Sequence, residues 1–166
     1  MTASVVDTNV LVVANGRAEQ AGPDCVISCI KALMCLKKDG RIVLDDGMRI
    51  LKEYKARASL SGQPGVGDAF FKWVWDNQFD AERCELVPIM PVDDSIETYE
   101  EFPDDPALRG FHADDRKFVA VARASPSRPP VLNAVDSDWW IFREPLERNG
   151  VVVKFLCSGQ FESDGD

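Results

Sequence analysis

Apolar and polar residues alternate along the chain in blocks that predict strands and helices in turn. Five short apolar segments have the length and composition of strands: Ser4–Val6 and residues 41–46, 84–92, 129–138 and 150–157. Four longer segments carry apolar residues at helical spacing: residues 23–40, 47–60, 68–79 and 114–125. Strands that alternate with helices predict an α/β fold with a mainly parallel sheet of about five strands. Pro88 and Pro91 restrict the third strand to an edge of that sheet or to a short piece.

The length and apolar content of the chain predict one domain. Its 166 residues, 45% of them apolar, suffice for a sizeable core over residues 1–158, and we expect residues 159–166 to form a flexible acidic tail. No run of about 18 apolar residues predicts a membrane-spanning helix, and the N-terminus lacks the pattern of a signal peptide. We therefore expect a cytoplasmic protein with no membrane partner.

The charge of the chain is unevenly distributed. A net charge of −9 argues against non-specific binding of nucleic acid. Residues 31–57, however, hold eight Lys or Arg against four acids, whereas residues 76–115 hold thirteen acids against two Arg. Lys52, Lys55 and Arg57 in the basic stretch are candidates for substrate binding, although solvated helix faces explain such charges equally well.

The five cysteines do not predict a disulfide framework. Their number is odd, and the expected compartment is reducing. Cys25 and Cys29 would share one face of a helix and could form half of a zinc site. Because the single histidine, His112, is distant in sequence, buried free thiols are the favoured interpretation.

Carboxylates follow two of the predicted strands. Asp7 lies directly after the first strand, within "VVDTNVLV", and Asp136 and Asp138 lie after the fourth, within "VLNAVDSD". Sites in parallel sheets form where the carboxyl ends of strands meet. If the first and fourth strands are neighbours, Asp7 and Asp136 lie close together.

Two acids on predicted helices could join them. Glu53 belongs to an otherwise apolar helix stripe, and Asp115 lies at the start of a helix, where a negative charge is favoured. Four carboxylates in one pocket would repel one another unless a cation neutralised them, and oxygen ligands suit Mg²⁺ or Mn²⁺. Such a site predicts hydrolysis of phosphodiesters without a serine, cysteine or histidine nucleophile.

Each acid also has a purely structural interpretation. Asp7 could form a turn or cap after its strand, and Glu53 could pair with Lys52 or Arg57 at the surface. Asp115 could cap its helix, a role for which Asp114 competes, and Asp136 could begin an Asp-Ser-Asp turn.

Four stretches resemble the motifs of the PIN domain, a nuclease fold that includes VapC-type bacterial toxins. They are "VVDTNVLV", "RIVLDDGMRILKEY", "HADDRKFVAVARA" and "VLNAVDSDWW", and together they extend over residues 3–157. The resemblance implies a three-layer α/β/α fold. It also implies that Asp7, Glu53, Asp115 and Asp136 are the catalytic, metal-binding acids, with Asp138 as an added candidate ligand.

Other site residues and the activity follow from the same resemblance. It implies that Thr8, Asn9, Asn133 and Asp114 support the site, Asn133 standing where the family commonly has Thr or Ser. The implied activity is a ribonuclease dependent on Mg²⁺ or Mn²⁺, with RNA as substrate. A VapC-type toxin would also have an antitoxin partner and form a homodimer.

Two other functions compete with the ribonuclease hypothesis. Haloacid dehalogenase phosphohydrolases also place an Asp after the first strand, but they need a second Asp two residues later, where this chain has Asn9. A catalytically weak interaction module would use the acidic surface and the pairs Phe70-Phe71 and Trp139-Trp140 to bind a protein.

Overall fold

A five-stranded parallel sheet forms the centre of the molecule. The protein is described here from a computed structural model, which covers residues 2–93 and 97–163. Within those residues the strands are β1 Thr2–Val6, β2 Gly40–Asp45, β3 Cys84–Val87, β4 Pro91–Asp93, β5 Thr98–Tyr99, β6 Val131–Asn133 and β7 Val153–Phe155. The parallel sheet has the order β3-β2-β1-β6-β7, and β4 and β5 form a separate antiparallel pair. The predicted parallel sheet is confirmed, as is the edge position of the third predicted strand.

Helices cover the sheet and complete a three-layer α/β/α architecture. They are α1 Thr8–Ala14, α2 Pro23–Asp39, α3 Arg49–Arg57, α4 Val66–Asn77, α5 Arg116–Ala124, α6 Ser137–Ile141, α7 Arg143–Arg148 and α8 Ser158–Ser163. Two 3-10 helices, Pro106–Leu108 and Ala113–Asp115, lie between β5 and α5. The sequence pattern did not predict α6 and α7, because helices of 5 and 6 residues are too short to show a period.

The order of the strands creates a switch point between β1 and β6. From β1 the chain proceeds outward to β2 and β3, and it then crosses back to place β6 on the other side of β1. Val5 pairs with Val131 and Val6 with Leu132, so the two strands end side by side. Parallel α/β sheets bind ligands at such a point. The predicted proximity of the first and fourth strands is therefore confirmed.

The apolar run after Asp7 is a helix rather than a continued strand. Val5 and Val6 are fully buried, as expected for β-branched residues of a central parallel strand. The strand ends at Val6, the N–H of Asp7 donates to the carbonyl of Leu132, and α1 begins at Thr8. The polar triplet at residues 7–9 thus marks a change of secondary structure at the carboxyl edge of the sheet.

Helix α2 follows its predicted bounds but buries only some of the apolar residues that lie at helical spacing. Pro23 occupies its first turn, and Lys37 and Lys38 lie in its last turn, as expected from helix-end preferences. Its buried residues are Cys25, Cys29, Leu33 and Leu36. Two other apolar residues at helical spacing, Ile27 and Met34, are instead 48% and 58% exposed.

The expectation of five free, buried cysteines is wrong for three of them. Cys25 and Cys157 form a disulfide, because α2 begins beside the point where the chain leaves β7 and brings their Cα atoms to 5.1 Å. Cys35 is free but exposed, whereas Cys29 and Cys84 are free and buried as expected. The 132 residues between Cys25 and Cys157 explain why their pairing could not be found in the sequence.

The last described residues of the chain form a short helix. Residues 158–163 form α8, although we expected a flexible tail from residue 159; residues 164–166 lie outside the described residues. Residues 93–105, which belong to the acidic stretch of the sequence, are described except for residues 94–96. Among the described helices, none has the length and apolar character needed to cross a membrane.

Asp68 ties the start of α4 to the end of α1. Its carboxylate accepts hydrogen bonds from the N–H groups of Ser59 and Gly65, at 2.7 and 2.9 Å, and from the Asn15 amide at 3.1 Å. Burial alone would raise the pKa of Asp68, but these donors outweigh it and hold the pKa below its usual value. Because Asn15 ends α1, Asp68 also fixes the helix that begins at the carboxyl edge of the sheet.

We expect Asp68→Asn to lower the free energy of unfolding by about 1–3 kcal/mol at neutral pH, since a buried acceptor is exchanged for a group that also donates. The lowered pKa means that the ionised carboxylate stabilises the folded state above about pH 4, and that this contribution disappears as the pH falls through the folded-state pKa. Urea unfolding of the wild type and of Asp68→Asn at several pH values measures their difference in free energy of unfolding. This difference should become smaller in acid.

Asp76→Asn is the matched control. Asp76 lies on the same helix, but it is exposed and pairs only with Lys72 one turn away. Exposed pairs of this kind contribute little, so its effect should stay below about 0.5 kcal/mol. Equal losses in the two variants would contradict the structural role of Asp68.

Candidate metal centre

Asp7 lies buried at the switch point between β1 and β6. Only 3% of the residue is exposed, and its Oδ2 accepts a hydrogen bond of 2.8 Å from the Asn133 amide at the end of β6. Its side chain makes no capping hydrogen bond to α1. Asp7 therefore occupies the cap position of α1, but its side chain does not cap the helix.

Two further aspartates converge on Asp7. Asp115 lies at the start of α5, and Asp136 lies between β6 and α6. One carboxylate oxygen from each of the three residues lies within 4.8 Å of the others. Asp115 makes no capping bond, whereas one oxygen of Asp136 accepts from the N–H of Asp138 at 2.9 Å, as in the predicted turn. We refer to Asp7, Asp115 and Asp136 as the aspartate triad.

The triad lines a cavity of about 550 Å³ that we call the acidic pocket. Its lining residues are Asp7, Thr8, Asn9, Val12, Ala18, Gln20, Glu53, Arg57, His112, Asp114, Asp115, Val135, Asp136 and Asp138. A cavity of this volume lies in the range of sites that hold small ligands. Every acid predicted from the sequence lies in it.

The electrostatics of the triad favour an added cation. Burial, followed by the charges of Asp115, Glu53 and Asp136, raises the pKa of Asp7 well above its usual value. Burial and the same kind of repulsion raise the pKa of Asp115 to about 7, and burial also raises that of Asp136. Among the described residues, no Lys or Arg forms an ion pair with the triad. A set of oxygen donors with unbalanced negative charge fits a hard divalent cation such as Mg²⁺ or Mn²⁺.

Glu53 lies in the same pocket but in a different environment. Its Oε1 accepts from the Lys117 ammonium at 2.8 Å, and its Oε2 accepts from the Thr8 hydroxyl. Its oxygens are not in the group that converges within 4.8 Å. The surface pairing with Lys52 or Arg57 does not occur, and the role of Glu53 as a metal ligand stays a prediction.

Amide side chains connect the triad to the two strand ends. Asn133 donates to Asp7 and accepts from the N–H of Asp136 at 3.3 Å, so its side chain is hydrogen-bonded to two members of the triad. Asn9 accepts from the N–H of Ala134 at 3.0 Å, which joins the start of α1 to the end of β6. Together with the bond from Thr8 to Glu53, these contacts support the predicted role of the three residues in steadying the site.

The remaining candidates lie at different distances from the triad. Asp114 and Asp138 line the acidic pocket, and so does Arg57. Lys52 lines a neighbouring cavity with Arg49 and Lys117, whereas Lys55 lines neither of these two cavities. Of the three basic residues proposed to bind substrate, only Arg57 therefore faces the pocket itself.

Sequence reasoning missed Lys117. It is 9% exposed and forms the only Lys or Arg ion pair that reaches a pocket acid among the described residues. In the sequence it follows Asp115 by two positions within a charged stretch that predicts a solvated helix start. Its partner Glu53 lies 64 residues away, and no local spacing signals that pairing.

The aromatic pairs assigned to a protein-binding surface are mostly part of the core. Phe70, Phe71 and Trp139 are fully buried, and Trp140 packs on Phe155 and stacks on Phe161. These residues therefore do not supply the docking surface on which the interaction-module hypothesis relied.

Comparisons with known proteins do not identify a family. No family model matches the chain, and no curated protein or solved structure shows a significant similarity to it. The PIN-domain resemblance therefore depends on the four sequence motifs and remains a prediction.

Proposed function

We propose that this protein is a metal-dependent ribonuclease that hydrolyses phosphodiester bonds of RNA in the acidic pocket. The observation that carries the proposal is the convergence of Asp7, Asp115 and Asp136 within 4.8 Å at the switch point of a parallel sheet. The raised pKa values of the three carboxyls support it, because a bound cation would offset their mutual repulsion. The choice of RNA follows from the resemblance of the four motifs to PIN domains.

The residues of the acidic pocket have different roles in the proposed reaction. The aspartate triad would hold Mg²⁺ or Mn²⁺, which supplies an activated water and offsets negative charge on the phosphate. Asn133 fixes the Asp7 carboxylate, and the N–H of Asp138 fixes that of Asp136. Arg57 adds a positive charge to the lining, where it can attract the RNA backbone.

The partners implied by a VapC-type toxin extend the proposal. They are a cognate antitoxin and a second copy of the chain, in the cytoplasm. Only the sequence resemblance supports these partners. Coexpression with the adjacent reading frame, followed by a test of whether RNA cleavage is suppressed, examines the first of them directly.

Removal of divalent cations tests the proposed activity. We expect the protein to cleave a fluorescent single-stranded RNA of mixed sequence in Mg²⁺ or Mn²⁺, to lose that cleavage in excess EDTA, and to regain it when Mn²⁺ is restored, because the bound cation would activate the attacking water. Gel analysis of the products over time measures the rate.

A DNA strand of the same sequence is the substrate control, and it should be cut more slowly or not at all. Cleavage that continues at an undiminished rate in EDTA would contradict the proposal. Equal cleavage of the DNA strand would agree with a metal-dependent phosphodiesterase but would contradict its selectivity for RNA.

A further inference from the structure

Lys117 is a buried ammonium that hydrogen-bonds two residues of the acidic pocket. It is 9% exposed, and its Nζ donates to Glu53 Oε1 at 2.8 Å and to the backbone carbonyl of Asp114 at 2.5 Å. Its ammonium also lies 5.1 Å from the centre of the Phe118 ring. Buried lysines require such partners, because an unpaired charge out of water is costly. The position of Lys117 is therefore fixed by several contacts.

Both carboxylate oxygens of Glu53 accept hydrogen bonds from side chains of the protein. One oxygen accepts from Lys117, and the other accepts from the Thr8 hydroxyl. The charge of Glu53 is thus met by groups of the protein, whereas the triad carboxylates have no Lys or Arg ion-pair partner among the described residues. Glu53 and the aspartate triad therefore differ in their electrostatic surroundings, because only Glu53 forms an ion pair with Lys117 among the described residues.

We propose that Lys117 is a positioning residue that serves as a fixed cation of the site and keeps Glu53 out of the metal-ligand set. The pocket then binds one divalent cation through the three aspartates, and Glu53 does not serve a second cation. This inference rests on the proposed metal-dependent function. Two-metal sites require carboxylates on both ions about 3.5–4 Å apart, and the Lys117 ammonium removes Glu53 from that role.

Titration with Mn²⁺ tests the inference without reference to catalysis. Electron paramagnetic resonance of free Mn²⁺ gives the number and affinity of bound ions in the wild-type protein and in Lys117→Met, which has a side chain of similar length and no charge. We expect one ion in the wild type. In Lys117→Met we expect either a second ion or at least about tenfold tighter binding, since a positive charge beside the pocket is lost and Glu53 is released.

The double variant Glu53→Gln/Lys117→Met is the decisive control. It removes both charges of the pair, so under our inference it binds one ion with the affinity of the wild type. Thermal unfolding shows whether Lys117→Met alone is folded. If it is not, the double variant still tests the inference. Much weaker binding by the double variant would identify Glu53 as a ligand and overturn the inference.

The two proposals fail in different ways. A wild-type protein that binds one Mn²⁺, with the same number and affinity in Lys117→Met, would overturn the role of Lys117 while retaining the metal site. A wild-type protein that binds no Mn²⁺ would overturn the metal-dependent function and the inference with it.

Discussion

Replacement of Asp7 by asparagine is expected to lower metal-dependent RNA cleavage on the order of 10³-fold, because a metal ligand supplies several kcal/mol of transition-state stabilisation. Asparagine has nearly the same shape, and its carbonyl oxygen can still accept the bond from Asn133 that Asp7 accepts at 2.8 Å. The loss should therefore arise from the missing charge and not from misfolding. Initial rates on single-stranded RNA, at saturating Mg²⁺ or Mn²⁺, measure the effect.

The same substitution should not destabilise the protein when divalent cations are absent. The raised pKa of Asp7, due first to burial and then to neighbouring carboxylates, means that its ionised form destabilises the folded state at neutral pH. Asp7→Asn should therefore raise the free energy of unfolding there. The gain should shrink as the pH falls, because the wild-type carboxyl then becomes protonated. Urea unfolding in EDTA at several pH values measures this dependence.

Asp46→Asn provides the matched control. Asp46 is an exposed aspartate directly after β2, at the same edge of the sheet but outside the acidic pocket. The identical change there should alter neither cleavage nor its dependence on metal. A fall in rate equal to that of Asp7→Asn would contradict the assignment of Asp7, as would full activity of Asp7→Asn.

The fold could be predicted because its sheet is encoded by local patterns. Each strand of the parallel sheet coincides with a short apolar segment of the sequence, and each long helix has a visible period. The pattern was less informative about which apolar residues are buried. Ile27 and Met34 in α2 fit the helical period, yet the packing of α2 selects the adjacent face with Cys29 and Leu33.

The candidate site could be predicted in part for the same reason. Asp7 and Asp136 follow strands whose adjacency is a common property of parallel sheets, so their convergence was foreseeable from the chain. Lys117 was not foreseeable, since its ion pair with Glu53 depends on how α3 and α5 pack together. Contacts between distant helices leave no spacing signal in one sequence.

Loss of the Cys25–Cys157 disulfide is expected to lower the free energy of unfolding by about 2–5 kcal/mol, because the bond restricts a long loop of the unfolded chain. The two cysteines are 132 positions apart in the sequence, so the disulfide closes a loop that includes most of the chain. For a protein of this size the corresponding fall in melting temperature is roughly 4–20 °C. Thermal unfolding of the wild-type protein with and without a reducing agent measures the change.

Two variants separate the disulfide from other effects of reduction. Cys25→Ala should have the lower melting temperature without any reductant and should show no further change when one is added. Cys35→Ser, at an exposed free cysteine, should behave as the wild type under both conditions. Equal melting temperatures of the oxidised and reduced wild-type protein would show that the bond contributes nothing to stability.

The helix that begins directly after Cys157 contacts one wall of the acidic pocket. The Gln160 amide, three residues after Cys157, donates to the carbonyl of Gln20 at 2.7 Å, and Gln20 lines the pocket. Reduction at a temperature well below both unfolding transitions should therefore weaken RNA binding in the pocket while the protein remains folded. A KM that rises with reduction in the wild type, but not in Cys25→Ala, would connect the covalent bond to the site as well as to the fold.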